Sequence, residues 1–266
     1  MSFRGKAVIV TGAATGIGKA IALQFGRERA NVVVNTAHNQ KGANETVREI
    51  VANGGSSIFV KGDISNKKCA EEVVKKTIKC YGKIDVLVNN AAIGVSKPLV
   101  ETTEEEWDRV IKVNVKGAFL LCKYSIPEMT RNGGGVIINI SSTWGIVAGY
   151  NAAAYCTSKS ALINLTRSIA LDYAKDNIRA IAVCPGSVDT PILREGISKS
   201  RDPISEKRMI IESHPIGRIG KPEEIADVVL WLSSANASFV TGSTVVADGG
   251  LSAKCSLEGK DRWPNM

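Results

Sequence analysis

Residues 6–18 decide the fold class, and they read KAVIVT followed by GAATGIG. The first six residues form a short β-branched run, which predicts a buried strand. Three glycines follow, and then apolar residues at helical spacing from Ile21 to Phe25. Glycines let a backbone approach a phosphate closely, and a helix N-terminus offers free amides. A strand, a glycine loop and a helix in this order predict a dinucleotide site, although the spacing is G-x-x-x-G-x-G rather than G-x-G-x-x-G.

Apolar runs alternate with helical patterns along the rest of the chain. Further strands are predicted at 31–35, 57–60, 84–88, 135–140, 178–184 and 243–247. Helices are predicted at 41–52, 66–80, 107–131, 155–175 and 223–233. The helix at 107–131 is expected to break or bend around Asn114 and Gly117. Such alternation is typical of a parallel sheet covered on both faces. The prediction is an α/β fold: a doubly wound, Rossmann-type parallel sheet of about seven strands with helices on both faces.

The chain shows no linker, low-complexity tract or short-period repeat, so we predict one domain over 1–266. Residues 192–216 interrupt the alternation, because they are rich in charge and have prolines at 191, 203 and 215 in or beside them. Ligands of open α/β sheets bind at the carboxyl ends of the strands. We therefore predict that 192–216 is a substrate-loop excursion over that edge. The tail, 253–266, has no predicted role.

Charge and hydropathy exclude several classes of function. The net charge is +8, but the Lys and Arg residues are dispersed and aromatic residues make up only 5%, so we expect a solvated basic surface and no nucleic-acid partner. Nothing approaches about 18 consecutive apolar residues, so no membrane span is expected. The N-terminus runs too directly into the first strand for a signal-peptide layout, and we expect a cytoplasmic protein.

Cysteine usage points to free thiols. No C-x-x-C spacing occurs, and the chain has only two histidines, so the sequence predicts no metal site. Six cysteines fit a reducing compartment better than three disulfides do. They are Cys69, Cys80, Cys122, Cys156, Cys184 and Cys255.

A second informative stretch is Tyr155-Cys156-Thr157-Ser158-Lys159. Positions four apart lie on one face of a helix, so Tyr155 and Lys159 are expected side by side. A free tyrosine has a pKa of about 10, and a nearby ammonium lowers it by favouring the phenolate. Lowering it to about 7 takes roughly 4 kcal/mol, much of which one desolvated ammonium can supply. The pair predicts a proton-transfer site, although an exposed Tyr and Lys on a surface helix are the alternative.

The end of the second predicted strand bears on the choice between NAD and NADP. An acidic residue there binds the ribose 2′-hydroxyl of NAD. The sequence is instead Asn35-Thr36-Ala37-His38, with no acid to repel a 2′-phosphate and no adjacent arginine to bind one. Lys41 and His38 are the nearest basic residues. We predict NAD or NADP as cofactor, with a slight preference for NADP.

Polar residues follow several other predicted strands: Asn90, Ser142 and the Pro185-Gly186 turn. Because the carboxyl ends of parallel strands meet at one crevice, Ser142 is expected near Tyr155. Asn114 lies within a predicted helix, where asparagine is a poor helix former. An ordinary turn serine and a surface asparagine are the alternatives at these two positions.

Together these motifs resemble the short-chain dehydrogenase/reductase family over residues 4–251. The resemblance is carried by Thr11-Gly12-x-x-x-Gly16-Ile17-Gly18, Asn89-Asn90-Ala91, Asn114, Ser142, Tyr155-x-x-x-Lys159 and Pro185-Gly186, in one order and spacing. It is strongest with the branch that contains bacterial glucose 1-dehydrogenase and 3-oxoacyl-carrier-protein reductase. One departure is Ala92, where the family usually has glycine. The extra methyl group is expected to alter the local turn without abolishing cofactor binding.

The resemblance implies a catalytic role for four residues. Tyr155 would be the general acid/base, and Lys159 would lower its pKa and bond the nicotinamide ribose. Ser142 would orient the substrate oxygen. Asn114 would hold a water that links Lys159 to solvent.

The resemblance also implies which residues hold the cofactor. The pyrophosphate side would be bound by Gly12, Thr15, Gly16, Ile17 and Gly18. Asp63 and Ile64 would border the adenine, Asn90 and Ala91 its ribose, and Thr36 the 2′ position. The nicotinamide end would lie against Pro185, Gly186, Val188 and Thr190, together with Tyr155 and Lys159.

The implied function is an NAD(P)-dependent oxidoreductase that interconverts a secondary alcohol, or a sugar hemiacetal, with its carbonyl. The alternatives are a 3-oxoacyl-carrier-protein reductase and a non-catalytic nucleotide-binding relative. Residues 93–98, 143–151 and 192–215 would line the pocket for a small-molecule substrate. The aromatic and polar mix at 143–151 suits a sugar, a polyol or a small ring alcohol as well as an acyl thioester. The family also implies a homotetramer.

Overall fold

The structure is a computed structural model that describes residues 2–253. Seven strands form one sheet in the order β3-β2-β1-β4-β5-β6-β7, and all neighbouring pairs are parallel. The strands are β1 (Ala7–Thr11), β2 (Asn31–Thr36), β3 (Ser56–Lys61), β4 (Val86–Asn89), β5 (Gly135–Ile140), β6 (Ile178–Pro185) and β7 (Thr244–Ala247). The predicted Rossmann-type sheet is confirmed.

Helices connect the strands. They are α1 (Gly16–Arg27), α2 (Gln40–Ala52), α3 (Lys67–Tyr81), α4 (Glu104–Ile111), α5 (Gly117–Arg131), α6 (Ala153–Asp172), α7 (Pro191–Ser198), α8 (Pro203–Ser213) and α9 (Pro222–Ser233). The excursion at 192–216 contains most of α7 and all of α8. Of the predicted tail, 254–266 lies outside the described residues.

Alternate residues of the strands face two cores. Val8, Val34 and Val88 belong to a core that includes Phe25 of α1 and Val229 of α9. Their neighbours along the strands point to the opposite face, as the two-residue period of a strand requires. That second core contains Ile9, Val33 and Leu87 and the inner faces of α3, α5 and α6. The continuous apolar runs in the sequence therefore arise because both faces of the sheet are covered.

The order of the strands determines where a ligand can enter. The chain builds outward from β1 to β3, then crosses back to place β4 on the other side of β1. Loops at the carboxyl ends of β1 and β4 therefore leave in opposite directions and open a crevice between them. The glycine loop follows β1, and Asn90 follows β4, so both lie at this crevice.

The predicted bend between 107 and 131 is a π-helical turn. Lys112–Lys116 forms this turn between α4 and α5, and Asn114 lies buried within it. π-turns inside α-helices are rare and occur often at functional sites. The turn rotates Asn114 toward the interior, which explains why a poor helix former is accommodated there.

A polar ladder crosses the second core. Asn89 Nδ2 at the end of β4 donates to Asn139 Oδ1 on β5 at 2.8 Å, and Asn139 Nδ2 donates to Thr166 Oγ1 on α6 at 2.8 Å. Thr166 Oγ1 donates in turn to Leu162 O at 2.7 Å. All three side chains are buried, so each bond replaces one that water would otherwise supply. The ladder fixes the height of α6 relative to the strand ends.

Replacing Asn139 with alanine should lower the free energy of unfolding by about 2–4 kcal/mol, because it opens a cavity and leaves Asn89 Nδ2 without its closest acceptor. Urea denaturation measures the change. The matched control is Asn44→Ala at the exposed face of α2, which should change the free energy by less than about 0.5 kcal/mol. Equal values for the two variants would show that the ladder does not contribute to stability.

Candidate active site

Tyr155 and Lys159 lie one turn apart near the start of α6, at the carboxyl end of β5. The Lys159 amine is 5.5 Å from the centroid of the Tyr155 ring. The side chain of Lys159 is only 2% exposed, and its Nζ donates to Ile140 O at 2.7 Å. The side-by-side placement that the four-residue spacing predicts is therefore present, in a buried setting rather than on a surface helix.

The pKa values differ from the expectation. Burial raises the pKa of Tyr155 above its ordinary value, the Ser142 hydroxyl lowers it in part, and the thiols of Cys156 and Cys184 add to the increase. Burial lowers the pKa of Lys159 to about 8. The expected lowering of the phenol's pKa is absent because the desolvation of the phenol outweighs the groups that favour the phenolate. At neutral pH the phenol keeps its proton and the amine is largely charged.

Two loops border the Tyr155 ring. The Ser142 hydroxyl lies close enough to the phenol to lower its pKa, and its Oγ accepts from the Trp144 amide at 3.1 Å. The Trp144 indole meets the Tyr155 ring edge to face, with 6.1 Å between centroids. From the other side, a methyl group at Gly94 would lie 3.4 Å from Tyr155 Cδ2. The predicted pocket segments 93–98 and 143–151 therefore both reach the phenol.

Asn114 connects the loop after β4 to α6. Its Oδ1 accepts from Ile93 N at 2.8 Å, and its Nδ2 donates to Ile93 O and to Ser158 Oγ, both at 2.9 Å. Ser158 Oγ donates to Tyr155 O at 2.7 Å. Both amide hydrogens of Asn114 are thus used within the protein. A water relay at this position would have to use the remaining lone pair of Oδ1 or a backbone carbonyl.

The glycine loop is closed against the loop after β4. Asn90 Nδ2 donates to Thr11 O at 2.8 Å, and Thr11 Oγ1 accepts from the amides of Asn90 and Ala91 at 2.9 and 3.0 Å. A Cβ atom at Gly18 would come within 2.4 Å of both Asn90 Nδ2 and Gly12 O. The sequence therefore needs glycine at 18 for packing. Because the side-chain nitrogen and the backbone N–H of Asn90 both bond Thr11, its oxygen atoms are the groups that can face a ligand.

Thr190 and Gly16 adjoin across the same edge. A Cβ atom at Gly16 would lie 3.2 Å from Thr190 Cγ2, and the Thr190 hydroxyl caps α7 by accepting from Leu193 N at 3.3 Å. Beside them lies a cavity of about 530 Å³ whose lining includes Thr15, Lys19, Lys41 and Arg194. The lining also includes Glu45, Asp189 and Glu223, so it is the free amides at the first turn of α1, and not a net positive charge, that suit an anionic group here.

The other predicted residues lie at neighbouring strand ends. Thr36 ends β2, and Asp63 Oδ1 accepts from Ser65 N at 2.9 Å just beyond β3. Ile64 is buried, against the start of α5 at Gly117. Pro185 ends β6, Gly186 N donates to Ala247 O at 3.2 Å, and Val188 forms a parallel bridge with Gly220. Ile17, in the first turn of α1, is partly buried against the core.

Ala92 fits its turn. Among the described residues, the non-glycine residues with left-handed φ are Arg29, Asn151 and Asn177. Ala92 therefore has a backbone conformation that an alanine adopts without strain. The departure from the usual glycine requires no shift of the loop.

The predicted site residues form one continuous edge of the sheet. It runs from the ends of β2 and β3 through the glycine loop to Tyr155 and the turn after β6. An extended dinucleotide needs such an edge, with closely approachable backbone at its middle and polar groups at one end. The residues present therefore fit a nicotinamide dinucleotide.

The comparisons with known proteins agree with this geometry. Residues 12–252 match the family model described as enoyl-(acyl carrier protein) reductase. The chain is 43% identical to an uncharacterized oxidoreductase of Thermotoga maritima, over 95% of this chain and 100% of that protein. This chain is a short-chain dehydrogenase/reductase. As a member of that family, it is an NAD(P)-dependent oxidoreductase.

Two further relatives of this dehydrogenase/reductase have named activities. It is 40% identical to 3β-hydroxysteroid dehydrogenase 1 of Eggerthella lenta, over 93% of this chain and 94% of that protein. It is 38% identical to the 3-oxoacyl-[acyl-carrier-protein] reductase FabG of Thermotoga maritima, over 94% of this chain and 99% of that protein. Within residues 2–253, no helix has both the length and the apolar composition that crossing a membrane requires. The same part of the chain holds no cluster of three or more His, Cys, Asp or Glu side chains suited to a metal ion.

Sequence reasoning missed the residues that hold this short-chain dehydrogenase/reductase site in place. The Thr11 hydroxyl links the end of β1 to the loop after β4, and the Ser158 hydroxyl links the π-turn at Asn114 to α6. The available signal is weak: a hydroxyl residue at the last position of an apolar strand, and one between Tyr155 and Lys159. His214, which is buried beside Ser187, gave no signal from its spacing at all.

Proposed function

We propose that this enzyme interconverts a secondary alcohol and its ketone, with Tyr155 as general acid/base. The observation that carries the proposal is the partly buried phenol, which lies beside the Ser142 hydroxyl and one turn from the buried Lys159 amine. A proton donor must keep its proton at the working pH and lie beside the reacting oxygen. Burial gives Tyr155 the first property, and the loops that border its ring give it access to a substrate.

The mechanism assigns one task to each residue. When bound, the nicotinamide supplies or accepts the hydride. Tyr155 donates its proton to the carbonyl oxygen in reduction and takes it back in oxidation, and Ser142 donates a hydrogen bond that holds this oxygen. The charged Lys159 amine stabilises the phenolate that remains after donation. Asn114 holds the Ile93 loop against α6, which keeps Tyr155 facing the crevice.

We assign the cofactor to the edge described above. The backbone of the glycine loop, at Gly12, Thr15, Gly16, Ile17 and Gly18, would hold the pyrophosphate with the first turn of α1. Thr36, Asp63, Ile64, Asn90 and Ala91 would hold the adenosine. Pro185, Gly186, Val188, Thr190, Tyr155 and Lys159 would hold the nicotinamide end.

A slight preference for NADP is part of the proposal. No carboxylate follows β2 at 35–38. The adjacent cavity is lined by Lys19, Lys41 and Arg194, and also by the acidic residues Glu45, Asp189 and Glu223. Two of these are already paired, Lys19 with Glu49 and Arg194 with Asp189. The positive charge available to a 2′-phosphate is therefore reduced, which is why the preference is expected to be slight.

The lining beside the phenol favours a substrate with an apolar body. Trp144, Ile146, Val147 and Tyr150 are all substantially exposed on the loop that follows β5. Exposed apolar side chains at a site are usually covered by a ligand or partner. Both relatives with named activities are named for hydroxysteroid or 3-oxoacyl compounds. A cyclic or acyl ketone is therefore favoured over a sugar, and reduction of a 3-oxoacyl carrier protein is the second candidate.

A panel of alcohols and ketones, assayed by nicotinamide absorbance with NADH, NADPH and their oxidised forms, tests the proposal. We expect turnover of apolar ketones with both reduced cofactors and somewhat lower KM for NADPH. A panel that includes a 3-oxoacyl thioester separates the two candidates. If neither cofactor changes its fluorescence on mixing with the protein, the proposed function is wrong.

Tyr155→Phe should reduce kcat by at least about 100-fold, because it removes the proton donor and keeps the ring. Its cofactor affinity, measured by fluorescence, should change by less than about threefold. The matched control is Tyr81→Phe on α3, which loses the same hydroxyl away from the site and should keep its activity. Turnover in Tyr155→Phe close to that of the parent would refute the assignment.

The pH profile of reduction should report on Lys159. Its amine is charged below its pKa of about 8 and loses its charge as the pH rises through that value. The phenolate then loses its stabilising charge, so kcat/KM for reduction should fall, by up to about tenfold per pH unit. Lys75→Met, at an exposed site on α3, should leave the profile unchanged. If kcat/KM stays constant up to about two pH units above the Lys159 pKa, the role of Lys159 is contradicted.

We also propose a homotetramer, in the cytoplasm, in which α5 and α6 pair between subunits. Phe119 and Leu171 on these helices are 46% and 81% exposed, and both helices line an open cavity of about 610 Å³. The five cysteines among the described residues are free, which suits a reducing compartment.

Light scattering should therefore give four times the chain mass of 28.3 kDa, and Phe119→Glu should give smaller species because it buries a charge in the interface. Val51→Glu, at another exposed apolar residue on α2, is the control and should leave the mass unchanged. A parent protein that elutes as a monomer would exclude the tetramer.

A further inference from the structure

His214 is a buried imidazole that directly follows α8. It is 3% exposed, and its Nε2 lies 3.1 Å from the amide of Ser187. Because a backbone N–H can only donate, Nε2 must accept and therefore carries no proton. The ring proton is then on Nδ1, which donates to Ile210 O in the last turn of α8 at 2.7 Å. The ring is neutral, with its tautomer fixed by its two partners.

These two bonds join two segments to which we assign different roles, the substrate-loop excursion and the turn after β6. Ile210 belongs to the excursion at 192–216, and Ser187 belongs to the turn after β6. The ring also packs on this turn, because a Cβ atom at Gly186 would lie 3.0 Å from His214 Nε2 and 2.9 Å from the Asp248 Cα. Gly186 is therefore enclosed between the imidazole and the chain after β7.

Few contacts attach the excursion to the rest of the protein. Neither α7 nor α8 contains a buried residue, whereas His214 is buried at the point where the excursion rejoins the sheet edge. Helices without a buried face gain little from hydrophobic packing, so their position depends on the few anchors at their ends. At the front the anchors are Thr190, which caps α7, and Arg194, which pairs with Asp189. At the rear they are the imidazole and the amide of Ile216, which donates to Gly249 O at 3.1 Å.

We propose that His214 is a positioning residue that couples the substrate-side helices α7 and α8 to the turn at 185–187. The inference rests on the proposed function, in which that turn holds the nicotinamide end and the excursion covers the substrate. The bond to Ser187 fixes the position of the end of α8 relative to the turn at 185–187. Its loss should lower kcat more than it raises the KM of the cofactor, because the rest of the dinucleotide edge remains intact.

Two variants separate this coupling from a simple helix-capping role. An asparagine amide reaches the position of Nδ1, so His214→Asn can keep the bond to Ile210 and loses the one to Ser187. A glutamine amide reaches the position of Nε2, so His214→Gln can accept from Ser187 through its oxygen. Ser213→Ala is the control, because it removes the hydroxyl beside Nδ1 and leaves Ser187 untouched.

Coupling predicts that His214→Asn loses about tenfold in kcat, whereas His214→Gln and Ser213→Ala stay within about threefold of the parent. Hydrogen exchange of the Ser187 amide should be faster in His214→Asn than in the other two variants. This readout needs neither turnover nor cofactor, so it still tests the bond if the proposed function is wrong. Thermal unfolding shows whether each variant is folded at the assay temperature.

The inference is overturned if His214→Gln loses as much kcat as His214→Asn, or if His214→Asn keeps the parent's kcat. It is also overturned if Ser187 exchanges equally fast in parent and His214→Asn. If His214→Asn does not fold, slow Ser187 exchange and parent-like kcat in His214→Gln still support the coupling. Fast exchange in His214→Gln with parent-like kcat refutes it.

Discussion

The buried amine of Lys159, bonded to the carbonyl of Ile140, is the interaction on which the site depends. An ammonium costs several kcal/mol to remove from water unless its surroundings compensate it. Here the Ile140 carbonyl at the end of β5 compensates the ammonium in part. Burial nevertheless lowers the pKa of Lys159 to about 8. The bond fixes the first turns of α6 to the carboxyl edge of the sheet. Tyr155, one turn earlier, is held at that edge as a consequence.

Further bonds hold the same helix from its other sides. Ser141 Oγ donates to Lys159 O at 2.8 Å, and Asn114 bonds Ser158, which lies between Tyr155 and Lys159 in the helix. Deeper in the core, Thr166 is joined to Asn139. A buried polar network is rigid when its members are satisfied, because each alternative position would leave a polar atom without a partner. The precise placement that proton transfer needs thus comes from hydrogen bonds, while hydrophobic packing supplies the general position of α6.

The sequence allowed much of this to be predicted, for identifiable reasons. The strands were placed to within about two residues because strands buried on both faces are continuously apolar. The bend at Asn114 was expected from helix propensity and proved to be a π-turn. The pKa of Tyr155 was predicted in the wrong direction, since residue spacing places the amine near the phenol but does not show how far the phenol is removed from water. His214 was missed because its partners are 4 and 27 residues away in the chain and follow no motif.

The most direct test of the central claim is a crystal structure of the protein with a bound nicotinamide cofactor. The account predicts the pyrophosphate on the glycine loop at 12–18. It also predicts the nicotinamide ribose within about 3 Å of the Lys159 amine, with the Tyr155 hydroxyl facing the nicotinamide. A dinucleotide bound elsewhere, such as along the α5–α6 cavity, would contradict it. So would a Lys159 amine that remains bonded only to Ile140 and makes no contact with the ribose.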